Sequence, residues 1–203
     1  MYVEDLLLTG NSSSFLSSFR QQLADRFSLK HLGPVNFFLG IEVIPTTTGY
    51  LLSQHKYVAD LLTRFQMHEA NPCLTPLTST AQLQLSDGSS AADATLYRQE
   101  VGALQYLVTT RPDVAFAVNR LSQFMHAPTS VHWQYVKRLL RYVASTRTLS
   151  LHIRCSRQPL SLRVFTDSDW AGDTDDRTST SGFLVYLGDT LMLLLLLLLL
   201  LLM

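Results

Sequence analysis

Cysteine is scarce in this 203-residue chain: its two thiols, Cys73 and Cys155, lie far apart and outside any Cys-x-x-Cys pair. That spacing argues against a disulfide framework or a zinc site and for reduced thiols. Net charge is absent as well, since 16 Lys and Arg balance 16 Asp and Glu. No whole-protein field therefore argues for a nucleic-acid partner, and any such argument must be local. The N-terminal residues show no basic segment leading into an apolar stretch and a small-residue cleavage site. The expectation is an intracellular protein of cytoplasm or nucleus, not a secreted one. Acidic residues are missing altogether from residues 114–166, where Arg120, Lys137, Arg138, Arg141, Arg147, Arg154, Arg157 and Arg163 accumulate. Such a block suits phosphate contacts. A solvated basic face would have the same composition, and the residues alone leave the two readings even.

Apolar residues are plentiful, at 47% of the chain, enough for a sizeable core in one or two domains. A C-terminal run from Leu191 and Met192 through leucines to Leu202 inflates that figure. The run is shorter than the roughly 20 residues that cross a bilayer. It also lacks a polar face, so it is read as a low-complexity tail over residues 190–203, outside the fold. No stable membrane span and no small-molecule substrate are expected.

Periodicity supplies the elements. Phe15, Phe19, Leu23 and Phe27 recur every four residues after Ser12 to Ser14, which predicts an amphipathic helix packing one face on a sheet. Residues 35–44 and 50–53 read as a hairpin. Gly40 within it is either a bulge or a point of close backbone approach. A helix begins at Gln54, with Tyr57, Val58, Leu61, Leu62 and Phe65 inward. Residues 71–95, rich in Ser, Thr, Pro, Gly and Asp, form a loop and the best boundary in the chain. Three helical patterns follow, marked by Tyr97, Val101, Leu104 and Val108, by Val114, Ala117, Val118, Leu121 and Phe124, and by Tyr135, Val136, Leu139, Leu140 and Val143. Pro112 suits the first turn of the second. Lys137, Arg138 and Arg141 fall on the outer face of the third. Strands are predicted at residues 149–155, 160–166 and 183–187. The whole is α+β.

Two acidic motifs carry candidate chemistry. Glu4 and Asp5 form an adjacent pair at a turn before Leu6-Leu7-Leu8, and Asp167 closes a strand in Asp167-Ser168-Asp169-Trp170-Ala171-Gly172. Carboxylates held rigidly at strand ends are what Mg²⁺ needs, because hard cations take oxygen ligands and bind substrate phosphates alongside them. Taken alone, the first pair reads more readily as a solvated turn.

The string Tyr2-Val3-Glu4-Asp5, followed by the three leucines, closely resembles the Tyr-Val-Asp-Asp hairpin of copia-type retrotransposon reverse transcriptases. The run Phe38-Leu39-Gly40-Ile41-Glu42-Val43 resembles the primer-grip hairpin of the same elements, and Thr110-Arg111-Pro112-Asp113, Ser122-Gln123-Phe124-Met125 and Leu139-Leu140-Arg141-Tyr142 resemble their region joining polymerase to RNase H. Arg177-Thr-Ser-Thr-Ser-Gly182, after Asp167, resembles the opening strands of the RNase H domain. The resemblance implies a palm remnant over residues 1–53 with a primer-grip-like hairpin at Gly40, and the start of a thumb at 54–70. It further implies a linker at 71–95, a helical thumb and connection region at 96–158, and an RNase H-like start at 159–189. Asp5 and Asp167 would stand at catalytic aspartate positions, with Glu4, Asp5 and Asp167 as Mg²⁺ ligands. RNA/DNA hybrid or DNA would be the partner, met by Gly40, Lys137, Arg138 and Arg141. Glu4 stands where the family has aspartate. The longer side chain moves the carboxylate by about 1.5 Å, and a misplacement near 1 Å can cost about a hundredfold in rate. The family's further polymerase aspartate would precede Met1, and its further RNase H acids would follow Met203. Neither polymerisation nor hydrolysis is therefore expected from this chain alone.

Overall fold

The computed structural model describes residues 6–78, 81, 83–156, 158–173 and 175–199, with side chains as far as Met192. It is mixed helix and antiparallel sheet, so α+β holds. Ser12 caps helix α1 (Ser13–Ala24) by accepting from the Phe15 amide at 3.3 Å. The apolar stripe is there, with Phe15 stacked on Phe19. No residue of α1 is buried, however. The local pattern suffices to make the helix, but the sheet it was expected to back does not cover it among the described residues.

Strands β1 (Phe37–Phe38), β2 (Ile41–Thr46) and β3 (Gly49–Ser53) form the expected hairpin array. A strand from far along the chain, β4 (Leu151–Arg154), completes the sheet by pairing antiparallel with β3, Leu52 opposite Leu151 and Gly49 opposite Arg154. A Cβ at Gly49, where φ is +145°, would stand 2.0 Å from the Ile153 carbonyl oxygen. Glycine at this position is what lets β4 close on the hairpin.

Four helices make the core: α2 (His55–Arg64), α3 (Ala94–Leu107), α4 (Ala115–Ser122) and α5 (Ser130–Ser145), with a 3-10 turn at Pro112–Val114 leading into α4. Val58, Leu61 and Leu62 of α2 share one buried cluster with Tyr97, Val101 and Leu104 of α3, Leu121 of α4 and Val136, Leu139 and Leu140 of α5. Tyr97 satisfies its buried hydroxyl by donating to the Leu121 carbonyl at 2.8 Å. The described residues from 71 to 93 are loop, two residues short of the expected boundary because α3 begins at Ala94, yet packing does not stop there. Leu83, at 1% exposure, joins the same core.

Both ends of α5 are anchored. At its start Thr129 Oγ1 accepts from the His132 amide while His132 Nδ1 accepts from the Thr129 amide, a reciprocal capping box. The Thr129 hydroxyl also donates to Asp87, and fully buried His132 uses Nε2 on the Gln84 carbonyl at 3.0 Å. At its end Arg111 donates through Nη1 to the Thr146 carbonyl at 2.9 Å and through Nη2 to Thr146 Oγ1 at 2.7 Å. The same guanidinium grips Asp113 in two bonds, Nε to Oδ1 at 2.8 Å and Nη2 to Oδ2 at 2.7 Å. Tyr142 adds a third at 2.9 Å. Burial raises the Asp113 carboxyl, but the Arg111 bonds and charge outweigh it and hold the group below its ordinary pKa.

A second sheet runs β5 (Leu162–Ser168), β6 (Ser179–Leu187) and β7 (Thr190–Leu199), all antiparallel. The leucine run, read as lying outside the fold, therefore supplies a strand as far as Leu199. A homopolymeric stretch can satisfy backbone ladders in any register, and the ladder here shifts between Val185 and Tyr186. Every residue of β5 is exposed. The link from β5 to β6 docks on the bundle, where Asp173 pairs with Arg120 of α4 and Asp175 accepts from the Leu85 amide at 2.6 Å. Among the described residues no helix is long and apolar enough to cross a membrane.

Candidate nucleic-acid interface

The basic block of residues 114–166 does not act as one patch. Arg120 is held by Asp173, and Arg163 reaches Asp189 at 3.1 Å and the Gly188 carbonyl at 2.6 Å. Arg157 lies outside the described residues. What remains on one helix is Lys137, Arg138 and Arg141 of α5, none of them in an ion pair among the described residues. Lys137 is exposed, while Arg138 and Arg141 are half-buried along their stems. Their Nε atoms are covered and unpartnered, and Arg138 Nη2 donates to Thr75 Oγ1 at 2.8 Å. Packed stems and exposed heads are how arginine presents charge on an apolar surface.

Beneath this face lies a carboxylate that the sequence reading did not single out. Glu100 of α3 is 4% exposed, and its Oε2 has no hydrogen-bond partner. Burial pushes its pKa up to about 7, against the opposing pull of Lys137 on α5 and Arg64 on α2. The signal was available: Glu100 sits three residues after Tyr97 and four before Leu104, on the inward stripe of α3. Its folded pKa lies above the unfolded value near 4.5, so the stability it permits is full below that pH. It is lost as pH rises toward about 7. The loss amounts to about 3 kcal/mol at most. Urea titrations at pH 5 and pH 8 should show Glu100→Gln gaining on the parent only at pH 8. An equal gain at both pH values would refute the assignment.

Gly40 stands in a two-residue turn between β1 and β2, with Phe38 opposite Ile41, Leu39 at φ +47° and Gly40 at φ +74°. Two consecutive left-handed residues are what a tight hairpin of this kind demands. For Leu39 the cost is about 1–2 kcal/mol, borne by a side chain 63% exposed. Neither a bulge nor an open approach describes Gly40. A Cβ there would fall 2.9 Å from the Tyr106 hydroxyl of α3, so a protein side chain already occupies the space the glycine leaves.

The two acidic motifs differ in what can be said of them. Glu4 and Asp5 lie outside the described residues. Asp167, near the end of β5, is exposed and sits opposite Gly182 in the β5–β6 ladder. Asp169 is engaged locally, its Oδ1 accepting from the Thr180 amide at 2.6 Å and its Oδ2 filling the space a Gly172 Cβ would need. Among the described residues no three His, Cys, Asp or Glu side chains cluster as a metal site. Asp167 by itself does not fit the two-ion centre that hybrid cleavage employs.

Residues 1–79 match the family described as reverse transcriptase (RNA-dependent DNA polymerase), a class that binds nucleic acid and generally uses a divalent metal. The chain is 47% identical over 188 residues to the retrovirus-related Pol polyproteins from transposons RE1 and RE2 of Arabidopsis thaliana, covering 93% of itself and 13% of each relative. It is 44% identical over 191 residues to an uncharacterized mitochondrial protein of the same plant, covering 93% of itself and 78% of that protein. The chain belongs to the family of copia-type retrotransposon Pol polyproteins, as a reverse transcriptase-like part of such a polyprotein. No solved structure matches it.

Proposed function

We propose that this chain is the template-handling part of a copia-type Pol, gripping an RNA/DNA hybrid or DNA through the α5 face and the Leu39–Gly40 turn. On this reading residues 1–53 belong to the palm and 54–70 open the thumb. Residues 96–158 continue the thumb and connection, and 159–189 open an RNase H-like domain. The observation that carries the proposal is the basic trio on α5. Lys137, Arg138 and Arg141 form no ion pair among the described residues, while Arg120 and Arg163 of the same block do. Clustered cations on one helix are the footprint of phosphate contact.

The chain alone is proposed to be catalytically incomplete, acting inside the cell. Glu4 replaces the expected aspartate, and among the described residues Asp167 belongs to no cluster of three His, Cys, Asp or Glu side chains. Any Mg²⁺ held by Glu4 and Asp5, or by Asp167, would supply charge neutralisation at a substrate phosphate and would need further ligands. Titration of a labelled RNA/DNA hybrid with the full chain at several salt concentrations tests the binding role. Saturable binding that weakens steeply with salt is expected, and absent or salt-insensitive binding would sink the proposal.

A further inference from the structure

We infer that the open edge of β5 is a self-association surface, on which a second copy of this chain lays its own β5 antiparallel, about a two-fold axis at Phe165. That register sets Arg163 of each copy opposite Asp167 of the other, and one sheet continues through the dimer.

β5 is the outer strand of its sheet. It pairs with β6 and with no other strand among the described residues, and all 7 of its residues are exposed. The far side of that sheet lies against the first one, where Thr190 Oγ1, at the start of β7, accepts from the Arg154 amide of β4 at 3.0 Å. Along β5 the ladder is regular, and the strand carries neither a proline nor a bulge, the devices that keep an exposed edge from pairing. The flanking bonds show which backbone groups are open. The Ser161 carbonyl accepts from the Gly188 amide, and the Asp169 amide donates to the Thr180 carbonyl, so the odd-numbered residues bond toward β6. Leu162, Val164, Thr166 and Ser168 therefore direct their N–H and C=O groups to the open edge.

Charge complementarity selects the occupant. With Phe165 on the axis, Val164 bonds Thr166 of the second copy, Leu162 bonds Ser168, and Arg163 stands across from Asp167 twice. A register centred on Val164 or Thr166 leaves Asp167 without a cation. Asp167 has no other claim on its charge: Gly182 is opposite it on β6, and its carboxylate makes no ion pair or hydrogen bond among the described residues. Arg163 meets Asp189 at 3.1 Å and the Gly188 carbonyl at 2.6 Å, but both bonds leave from Nη2, and the two side chains are 50% and 73% exposed. Such an exposed pair holds weakly, and Nε and Nη1 remain for a second carboxylate. Exposed Phe165 meets its own copy in a non-hydrogen-bonded pair, where cross-strand side chains stand closest.

The test is sedimentation equilibrium of the full chain, as the parent, Arg163→Asp, Asp167→Arg, the double variant, and an equimolar mixture of the two single variants. Both positions are exposed, so neither belongs to the core. The parent should dimerise reversibly with concentration. Each single variant sets like charges opposite one another twice and should weaken self-association on the order of a hundredfold. The double variant restores the opposite charges and should associate as the parent does, and the two single variants should pair with each other when mixed. Association through the leucine run or the apolar face of α1 would not follow that pattern. A parent that stays monomeric at every concentration overturns the inference and leaves the edge to some other strand. Parent-like dimerisation of both single variants overturns it by placing the contact elsewhere. Failure of the double variant or of the mixture to associate also overturns it. None of these outcomes bears on hybrid binding, which a separate titration reads.

Discussion

Arg111→Ala should destabilise the helical bundle by about 3 kcal/mol, the lower end of the cost of breaking a buried ion pair, because the Asp113 side chain left behind is 32% exposed. The side chain is almost wholly buried, 2% exposed, and four hydrogen bonds leave it, two to Asp113 and two to Thr146. Its removal strands the Asp113 carboxylate and frees the C-terminal end of α5 at once. Lysine cannot substitute, because an ammonium has no planar fork for a bidentate carboxylate. Against a typical total stability of about 5–15 kcal/mol, the melting temperature should fall by about 10–15 °C. The double variant Arg111→Ala with Asp113→Ala should recover part of that. A single variant melting within about 2 °C of the parent would show that the corner does not hold the bundle.

Neutralising the α5 trio, as Lys137→Gln with Arg138→Gln and Arg141→Gln, should weaken hybrid binding on the order of a hundredfold near 0.1 M salt. The slope of log K against log salt should fall by about 2–3, since each phosphate contact contributes close to 0.9. The measurement belongs near pH 5.5. Lys137 is one of the two cations pulling against burial at Glu100, so its loss raises that group further. Below pH 6 the carboxyl is protonated in both proteins, and the comparison reports phosphate contact alone. A triple variant with the parent's affinity and slope would remove α5 from the interface.

Much of the bundle was legible in the residues. The third helical pattern, marked by Tyr135, Val136, Leu139, Leu140 and Val143, forms as α5 (Ser130–Ser145), and Thr129 is its cap. Val58, Leu61, Leu62, Tyr97, Val101, Leu104, Leu121, Val136 and Leu139 all take the buried positions that a 3.6-residue period assigns them. Pro112 opens the turn into α4, as its missing N–H allows. The hairpin at residues 35–53 also forms, because its turns are set by neighbours in sequence. The family was equally legible, and the 47% identity to the Pol polyproteins over 188 residues agrees with it.

The misreadings share a cause. The stripe of α1 predicts burial against a sheet, but periodicity specifies a face and not what covers it. Glu100 lay on the inward stripe of α3 and went unremarked because its neighbours, Lys137 and Arg64, come from other helices. Gly40 was weighed between a bulge and an open approach, and Tyr106, 66 positions later, is what fills the space.

Sequence by itself determined which segments are helical, which side chains form the core and to which family the chain belongs, because those depend on local periodicity and on strings of adjacent residues. Only the tertiary structure decided that β4 completes the hairpin sheet, that the leucine run pairs with β6, and that Arg120 and Arg163 are neutralised while the α5 trio is not. Each of these depends on groups far apart in the chain meeting within a few ångströms, and the range of a hydrogen bond or an ion pair is far shorter than the separation a sequence can reveal.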